Sequence, residues 1–385
     1  MKDLSIIVPF VNEWPMLPFT IRSIFEELDG SGIDFEVIAV NNYCPEVELQ
    51  HEAEMKSYTA QLLDADIVNI DHLDRGYFDV TMRNFLTGRR QALDLSARLQ
   101  AAKLTEEVKN LEGIKKLIER KESESRWFED AGGDQLHGMT RQYSWLKYLE
   151  YTASLSHWQA KNLGVQNSEG RFLMFIDAHC MIRRDSIIKM FTYYQEHHEE
   201  LDGTIHLPLS YHIIEARKLI YKLAVDPPKG WYHYSFTGYR DAEEPYEVPC
   251  MSTCGMMMSR ELYDFVGGWP TELGIYGGGE NFMNFTLSVL GKHKYIMPGK
   301  QLCHHGSGRG YHWNYDNHMR NRMIAVYMFG GTDIARLFTQ HAKGRPKTLF
   351  KMFNEIIDND NNVAHRALIK SRQTTTIDEW LTKWR

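Results

Sequence analysis

The stretch RFLMFIDAHC (residues 171–180) decides how this chain is read. Five apolar residues, 172–176, run straight into Asp177 and His179. That is the pattern of a strand buried on both faces that delivers polar groups at its C-terminal end. In open parallel sheets that edge is where ligands bind, and a carboxylate and an imidazole two residues apart can reach one divalent ion. The plainer alternative has the Asp capping the following turn and the His packing into the core.

Upstream, residues 4–11 form a second apolar run, 14–28 carry helical apolar spacing, and 35–40 and 67–70 read as further strands. Strands separated by single helices imply right-handed crossovers in a mostly parallel sheet with helices on both faces, an α/β domain. Residues 81–124 change to a charged, alanine-rich character, with Leu104, Val108, Leu111 and Ile118 at helical spacing and Glu112 placed four before Lys116. This reads as a helical insertion over about residues 80–150, packing or mediating contacts rather than performing chemistry. The spacing continues helical over 145–166. Downstream, 186–201 and 280–290 are helical, 204–209, 256–258 and 294–297 are strands, and Pro227, Pro228 and Gly230 mark a loop. Helices fill most of the remainder, with punctuation at 344–346. The expected division is one domain over 1–306 and a helical, basic extension over 307–385.

Composition narrows the function. With 385 residues, 43% apolar and 25% charged, the chain can bury a genuine core, which excludes disorder and fibrous repeats. No apolar stretch is long enough to span a bilayer, and five scattered cysteines without a CxxC pair argue against a disulfide framework or a zinc site. A soluble, cytoplasmic protein is expected. The net charge of -7 gives no overall bias toward nucleic acid. Yet Arg309, Arg320, Arg322, Arg336, Lys343, Arg345, Lys347 and Lys351 face only Asp316 and Asp333 across that stretch, a basic surface or a solvated face.

Two more segments join Asp177 and His179. GIYGGGENFMNFTL (274–287) sets three glycines before an apolar helix, with Glu280 and Asn281 in its first turn and backbone at Gly278 and Gly279 open to a ligand. A tight turn would use the same glycines. KYIMPGKQLCHHGSGRGYHW (294–313) presents His304 and His305, then a Gly/Ser loop with Arg309 that suits a lid over phosphates. Asp71, His72 and Asp74 look metal-like but read better as a turn. No GxSxG elbow, Walker loop or GxGxxG after the first strand is present.

Taken in order, VPFVNE (8–13), AKNLGVQNSEGRFLMFIDAHC (160–180), TCGMMMSRELYDFVGGW (253–269), GGGEN (277–281) and IMPGKQLCHH (296–305) resemble the nucleotide-sugar glycosyltransferases of the GT-A fold. Within that fold they are most similar to the polypeptide N-acetylgalactosaminyltransferases, which carry Asp-x-His, Gly-Gly-Glu-Asn and a later His in the same order. The resemblance covers residues 1–70 and 155–306. It implies a metal held by Asp177, His179 and His304, a donor set that suits manganese (or magnesium) and leaves positions for a diphosphate. It implies Pro9, Phe10 and Glu13 under the uridine of a UDP-sugar, with Lys161 and Asn162 matching the family's Arg-Asn pair. Asn41 and Asn42 stand where the family commonly meets uracil with acidic residues. Inverting enzymes of this fold usually follow the Glu with a catalytic Asp; here that position is Asn281, which cannot accept a proton. The resemblance therefore implies a retaining transfer, with Glu280 positioning sugar or acceptor. The expected activity is transfer from a UDP-sugar to an acceptor hydroxyl, a hydroxymethylated DNA base or a protein Ser/Thr; the alternative is an inactive GT-A module that binds a partner. The basic stretch with Tyr311, Trp313 and Tyr315 favours an anionic acceptor, DNA included.

Overall fold

The computed structural model describes residues 1–11, 13, 17–42, 140, 143–210, 217–304 and 315–384. The strand expected at 67–70, the group Asp71, His72 and Asp74, most of the expected insertion, His305 and Arg309 lie outside these residues.

The apolar runs become the middle of an eight-stranded sheet. β1 (Lys2–Phe10), β2 (Phe35–Asn41), β3 (Leu146–Glu150) and β4 (Gly170–Phe175) lie parallel in the order β3-β2-β1-β4, with Leu4 opposite Phe35 on one side and Phe172 on the other. The alternation in LKYLE makes β3 a strand, so residues 145–166 are not one helix. The helix there, α2 (His157–Gln166), starts only after Ser156, whose hydroxyl accepts from the Gln159 N–H and caps it. Beyond β4 the sheet turns mixed. β11 (Met256–Ser259) runs antiparallel between β4 and β6 (Gly203–His206), and β12 (His293–Ile296) and β10 (Tyr246–Glu247) complete that side.

Helices cover both faces. α1 (Leu17–Leu28) and α3 (Ser186–Leu201) bury Ile21, Ile24, Met190 and Phe191 against one face. On the other, α2, α4 (Arg260–Val266) and α5 (Gly279–Val289) share an apolar cluster with the C-terminal helices α6 (Tyr315–His341), α7 (Pro346–Ile357), α8 (Asp360–Arg372) and α9 (Ile377–Thr382). Trp158, Phe282, Met323, Phe329, Phe353 and Leu381 belong to this one cluster, so the basic C-terminal segment is built into the same core. No helix among the described residues is long and apolar enough to cross a membrane.

A second, five-stranded sheet runs β5 (Cys180–Met181), β13 (Leu302–His304), β7 (Leu209–Ser210), β8 (Leu219–Asp226), β9 (Trp231–Gly238). The expected strand at 204–209 is thus divided between two sheets. The Pro227–Gly230 loop is the turn of the β8–β9 hairpin, with Asp226 opposite Trp231.

One buried charge in this body gives a test of its packing. Lys294 of β12 is 1% exposed; its ammonium donates to the Asn284 carbonyl (3.2 Å) and Ser288 hydroxyl (2.7 Å) and lies over the Trp380 ring. Burial pushes its pKa down to about 7. Between that value and the ordinary lysine range near 10.4, the unfolded chain holds a proton that the folded one has released, so stability rises with pH across this window. In Lys294→Met that rise, worth on the order of 4 kcal/mol, should flatten in denaturant titrations at pH 7 and 10. Equal slopes in parent and variant would mean that Lys294 keeps its proton in the fold.

Candidate active site

Strand register brings the first three polar groups together. After β4 the chain passes Asp177, turns at Ala178 and His179, and enters β5, where Cys180 pairs with His304 of β13. The Thr20 hydroxyl lies 2.6 Å from the Ala178 carbonyl and 2.8 Å from that of Cys180, pinning the turn to α1. His304 Nε2 then sits 3.2 Å from Asp177 Oδ2 and 3.1 Å from His179 Nε2. His179 Nδ1 is 2.5 Å from Glu13 Oε1, a contact that places the ring proton on Nδ1 and turns Nε2 toward His304.

The electrostatics behind this group keep Asp177 ionised. Burial would raise its pKa, but the charge of Lys161, the hydrogen bond from His304 and the charge of His157 hold it well below the ordinary carboxylate range. Lys161, fully buried, reaches Asp177 Oδ1 at 3.8 Å, and His157 Nε2 is 3.6 Å from the same atom. Neither is a hydrogen bond, so Oδ1 is a buried oxygen without a hydrogen-bond partner. An ionised carboxylate with such an oxygen, beside two imidazole nitrogens facing one another, fits a divalent cation. Cys254 also comes near: its sulfur and donor atoms of Asp177 and His304 lie within 4.8 Å of one another. Burial pushes the Cys254 thiol up, and it accepts from the Asp177 N–H and lies 3.5 Å from the Cys180 sulfur. It is therefore a packed thiol in this structure, behind Asp177.

Glu280 sits at the start of α5, where a carboxylate is favoured by the helix dipole. Its Oε1 accepts from Ser252 Oγ (3.1 Å), the Thr253 N–H (3.2 Å) and the Tyr221 hydroxyl (3.4 Å), and its Oε2 from the Tyr234 hydroxyl. Three of these donors fall on Oε1 and one on Oε2, so the protein fixes the carboxylate and leaves one acceptor position on Oε2. Asn281 donates to the Tyr232 carbonyl (2.8 Å), tying α5 to β9. The β8–β9 hairpin also supplies stacked Tyr221 and Tyr234 rings, 4.4 Å apart, with Phe236 against Tyr221.

Glu13, Asp177, His179, His304, Glu280, Asn281 and the hairpin aromatics open into one cavity of about 390 Å³, lined also by Pro9, His157, Trp158, Tyr276, Gly277, Gly278, His318 and Arg322. Of the residues expected from the sequence, Pro9, Glu13, Asp177, His179, Gly278, Glu280, Asn281 and His304 line this cavity. Several others do not. Phe10 is core, 1% exposed. Asn42 is buried, donating to the Tyr151 and Ser154 carbonyls and accepting from the Ser156 N–H, so it locks the entry to α2. Asn41 donates to the Tyr148 hydroxyl. Asn162 accepts from Tyr263 and the Trp269 N–H and donates to the Trp269 carbonyl and Gln159, leaving nothing for a nucleotide. Lys161 acts from behind, through Asp177. Gly279 is required because a Cβ there would strike the Trp158 ring, and Gly278 because its φ is +76° and a Cβ would strike the Asn321 backbone. The basic stretch does not form one face either: Arg320 pairs with Glu272, Arg322 lines the cavity, and Lys343, Arg345 and Lys347 are exposed elsewhere on the chain.

His157, Trp158, Tyr221, His233, Tyr234 and His318 line the cavity without having been singled out beforehand. For the hairpin a signal existed, in the aromatic and β-branched residues flanking PPKG.

Comparison with known proteins agrees with this architecture. Residues 134–267 match the glycosyl transferase family 2 profile. A putative polypeptide N-acetylgalactosaminyltransferase 13 of Drosophila melanogaster is 24% identical over 156 residues, which are 38% of this chain and 27% of the relative. The crystal structure of GalNAc-T7 with UDP, GalNAc and Mn2+ superposes over the whole chain and 56% of its own length, with a TM-score of 0.58 at 12% identity. S. aureus TarS in complex with UDP-GlcNAc matches over 92% of the chain with a TM-score of 0.44 at 11% identity. The chain therefore spans about half the length of the solved relative and about a quarter of the curated one. The fold is GT-A.

Proposed function

We propose that this protein, a glycosyl transferase family 2 chain of the GT-A fold similar to the polypeptide N-acetylgalactosaminyltransferases, moves a sugar from a UDP-sugar to an acceptor hydroxyl with the help of a divalent cation. The observation that carries the reading is the convergence of Asp177, His179 and His304 with Glu280 in one cavity. Asp177, His179 and His304 would hold manganese or magnesium, which when bound neutralises charge developing on the departing diphosphate. Glu13 orients His179 for that task, and Lys161 keeps Asp177 ionised. Pro9 lines the cavity on the strand expected to underlie the nucleotide.

Glu280, held by four donors, supplies negative charge and a fixed edge for the sugar rather than a nucleophile or base. Asn281 cannot take a proton. With no base at that position, the acceptor's proton passes to the leaving diphosphate, and the donor's α configuration is retained. Two measurements test this. Purified protein should hydrolyse a UDP-sugar slowly and only with manganese or magnesium present; a module that merely binds a partner would not. Once an acceptor is found, among hydroxymethylated DNA and Ser/Thr peptides, proton NMR of the first-formed product should give the coupling of an α-glycoside. A β product would rule out retention and require another base.

A further inference from the structure

Arg322, on the first turns of α6, is half-buried in the cavity wall yet makes no ion pair with a carboxylate among the described residues. One of its terminal nitrogens donates to His233 Nε2 at 2.9 Å, and its guanidinium lies 5.1 Å from the centre of the Trp231 ring. Its Nε–H is buried without an acceptor. His233 is no counter-ion, since an imidazole carries no negative charge; burial, Arg322 and His318 push its pKa down to about 3, so it is neutral and can accept from Arg322. The remaining charged or titratable neighbours are Tyr234, Tyr276 and Tyr315, all phenols. The nearby carboxylate, Glu280, is held by Tyr234, Tyr221, Ser252 and Thr253. A guanidinium taken out of water without an anion costs free energy that a protein recovers only when one arrives. Other arginines of α6 and α8 differ: Arg320 has Glu272, and Arg366 donates to the Met328 carbonyl and Gln373.

We propose that Arg322, with His318, forms an anion subsite that receives a carboxylate or phosphate carried by the substrate, separate from the diphosphate of the donor. The inference rests on the reading above that the donor diphosphate lies by Asp177 and His304. Arginine suits the task, since its planar fork binds either anion through two parallel hydrogen bonds. The stacked Tyr221 and Tyr234 rings and the Tyr276–His318 stack form the walls against which the ring bearing that anion would lie.

The anion can belong to the donor sugar or to the acceptor, and titration calorimetry separates them. Sulfate, a probe that does not precipitate the cation, should bind the protein already saturated with UDP and manganese. Arg322→Met should weaken it by about tenfold or more, Arg322→Lys less, and Arg320→Met should leave it unchanged. UDP-glucuronic acid binding about tenfold tighter than UDP-glucose to the parent, and equally to Arg322→Met, would assign the anion to the donor. Equal binding of the two donors, with sulfate still held, would assign it to the acceptor. Sulfate that fails to bind, competes with UDP in the parent, or binds Arg322→Met as well as the parent would overturn the subsite. If UDP itself did not bind with manganese while sulfate still depended on Arg322, the donor reading would fall and the anion subsite would stand.

Discussion

Alanine in place of Asp177 is expected to abolish metal-dependent donor turnover and also to lower the stability of the fold, whereas alanine at His304 should remove turnover at a smaller cost in stability. The difference lies behind the site. Lys161 is fully buried, with the Thr253 hydroxyl at 3.5 Å and the faces of Trp158, Trp269 and Phe175 around it. Asp177 is the carboxylate it faces, and aromatic faces offset only part of a buried ammonium's desolvation. Removing one member of a buried pair costs about 3–5 kcal/mol, because the other charge stays behind. His304, by contrast, ends a three-residue strand, and its loss takes one hydrogen bond from Asp177 but leaves that carboxylate facing Lys161, so neither charge is left alone. Both variants should lose turnover by about 10²-fold or more if the three side chains hold one cation. Denaturant titration and manganese-dependent hydrolysis of a UDP-sugar check the two halves. His304→Ala with normal manganese-dependent turnover would sink the ligand assignment. Asp177→Ala as stable as His304→Ala would sink the account of Lys161.

How much of this the sequence carries depends on whether the deciding force is local. An apolar run ending in Asp177 and His179 forms a buried strand whatever surrounds it, and the glycines before Glu280 mark a helix start, so both were legible. Residues 145–166 misled because Leu146 and Leu149, three apart, fit helical spacing, whereas in the strand they pack on opposite faces of the sheet. Pairing with β2 decides the matter, and Lys147 then meets the buried Glu36 across that pair. An asparagine at a strand end serves a base or a backbone equally well, and only the fold gives Asn42 to the Tyr151 and Ser154 carbonyls. The same holds for Asn162, which holds the Trp269 loop. The basic stretch looked continuous in sequence, but helical periodicity sends Arg320 to Glu272 and Arg322 into the cavity. A charge count cannot separate the two.

Glu280→Gln should lower turnover by about 10²-fold or more while leaving nucleotide affinity near that of the parent. The carboxylate is held by three hydroxyls and one backbone N–H, all of them donors as placed. An amide keeps one acceptor oxygen and replaces the other with an NH2 that donates. The Thr253 N–H cannot reverse, so the amide oxygen must stay toward it, and the NH2 must face the Tyr234 hydroxyl. Burial and the charge of Glu280 push Tyr234 far above the ordinary phenol range, so it is firmly a donor in the parent. In the variant its proton must find another acceptor in a wall already packed against Tyr221, which costs about 1–3 kcal/mol locally. The larger loss is electrostatic. A fixed negative charge beside a sugar whose anomeric carbon gains positive character stabilises the transition state more than the ground state, and the neutral amide gives up that difference. Binding of UDP, which lacks the transferred sugar, should change little, so the effect belongs to kcat rather than to nucleotide affinity. Turnover within about threefold of the parent would show that Glu280 is only a structural brace for the hairpin and the Ser252–Thr253 turn.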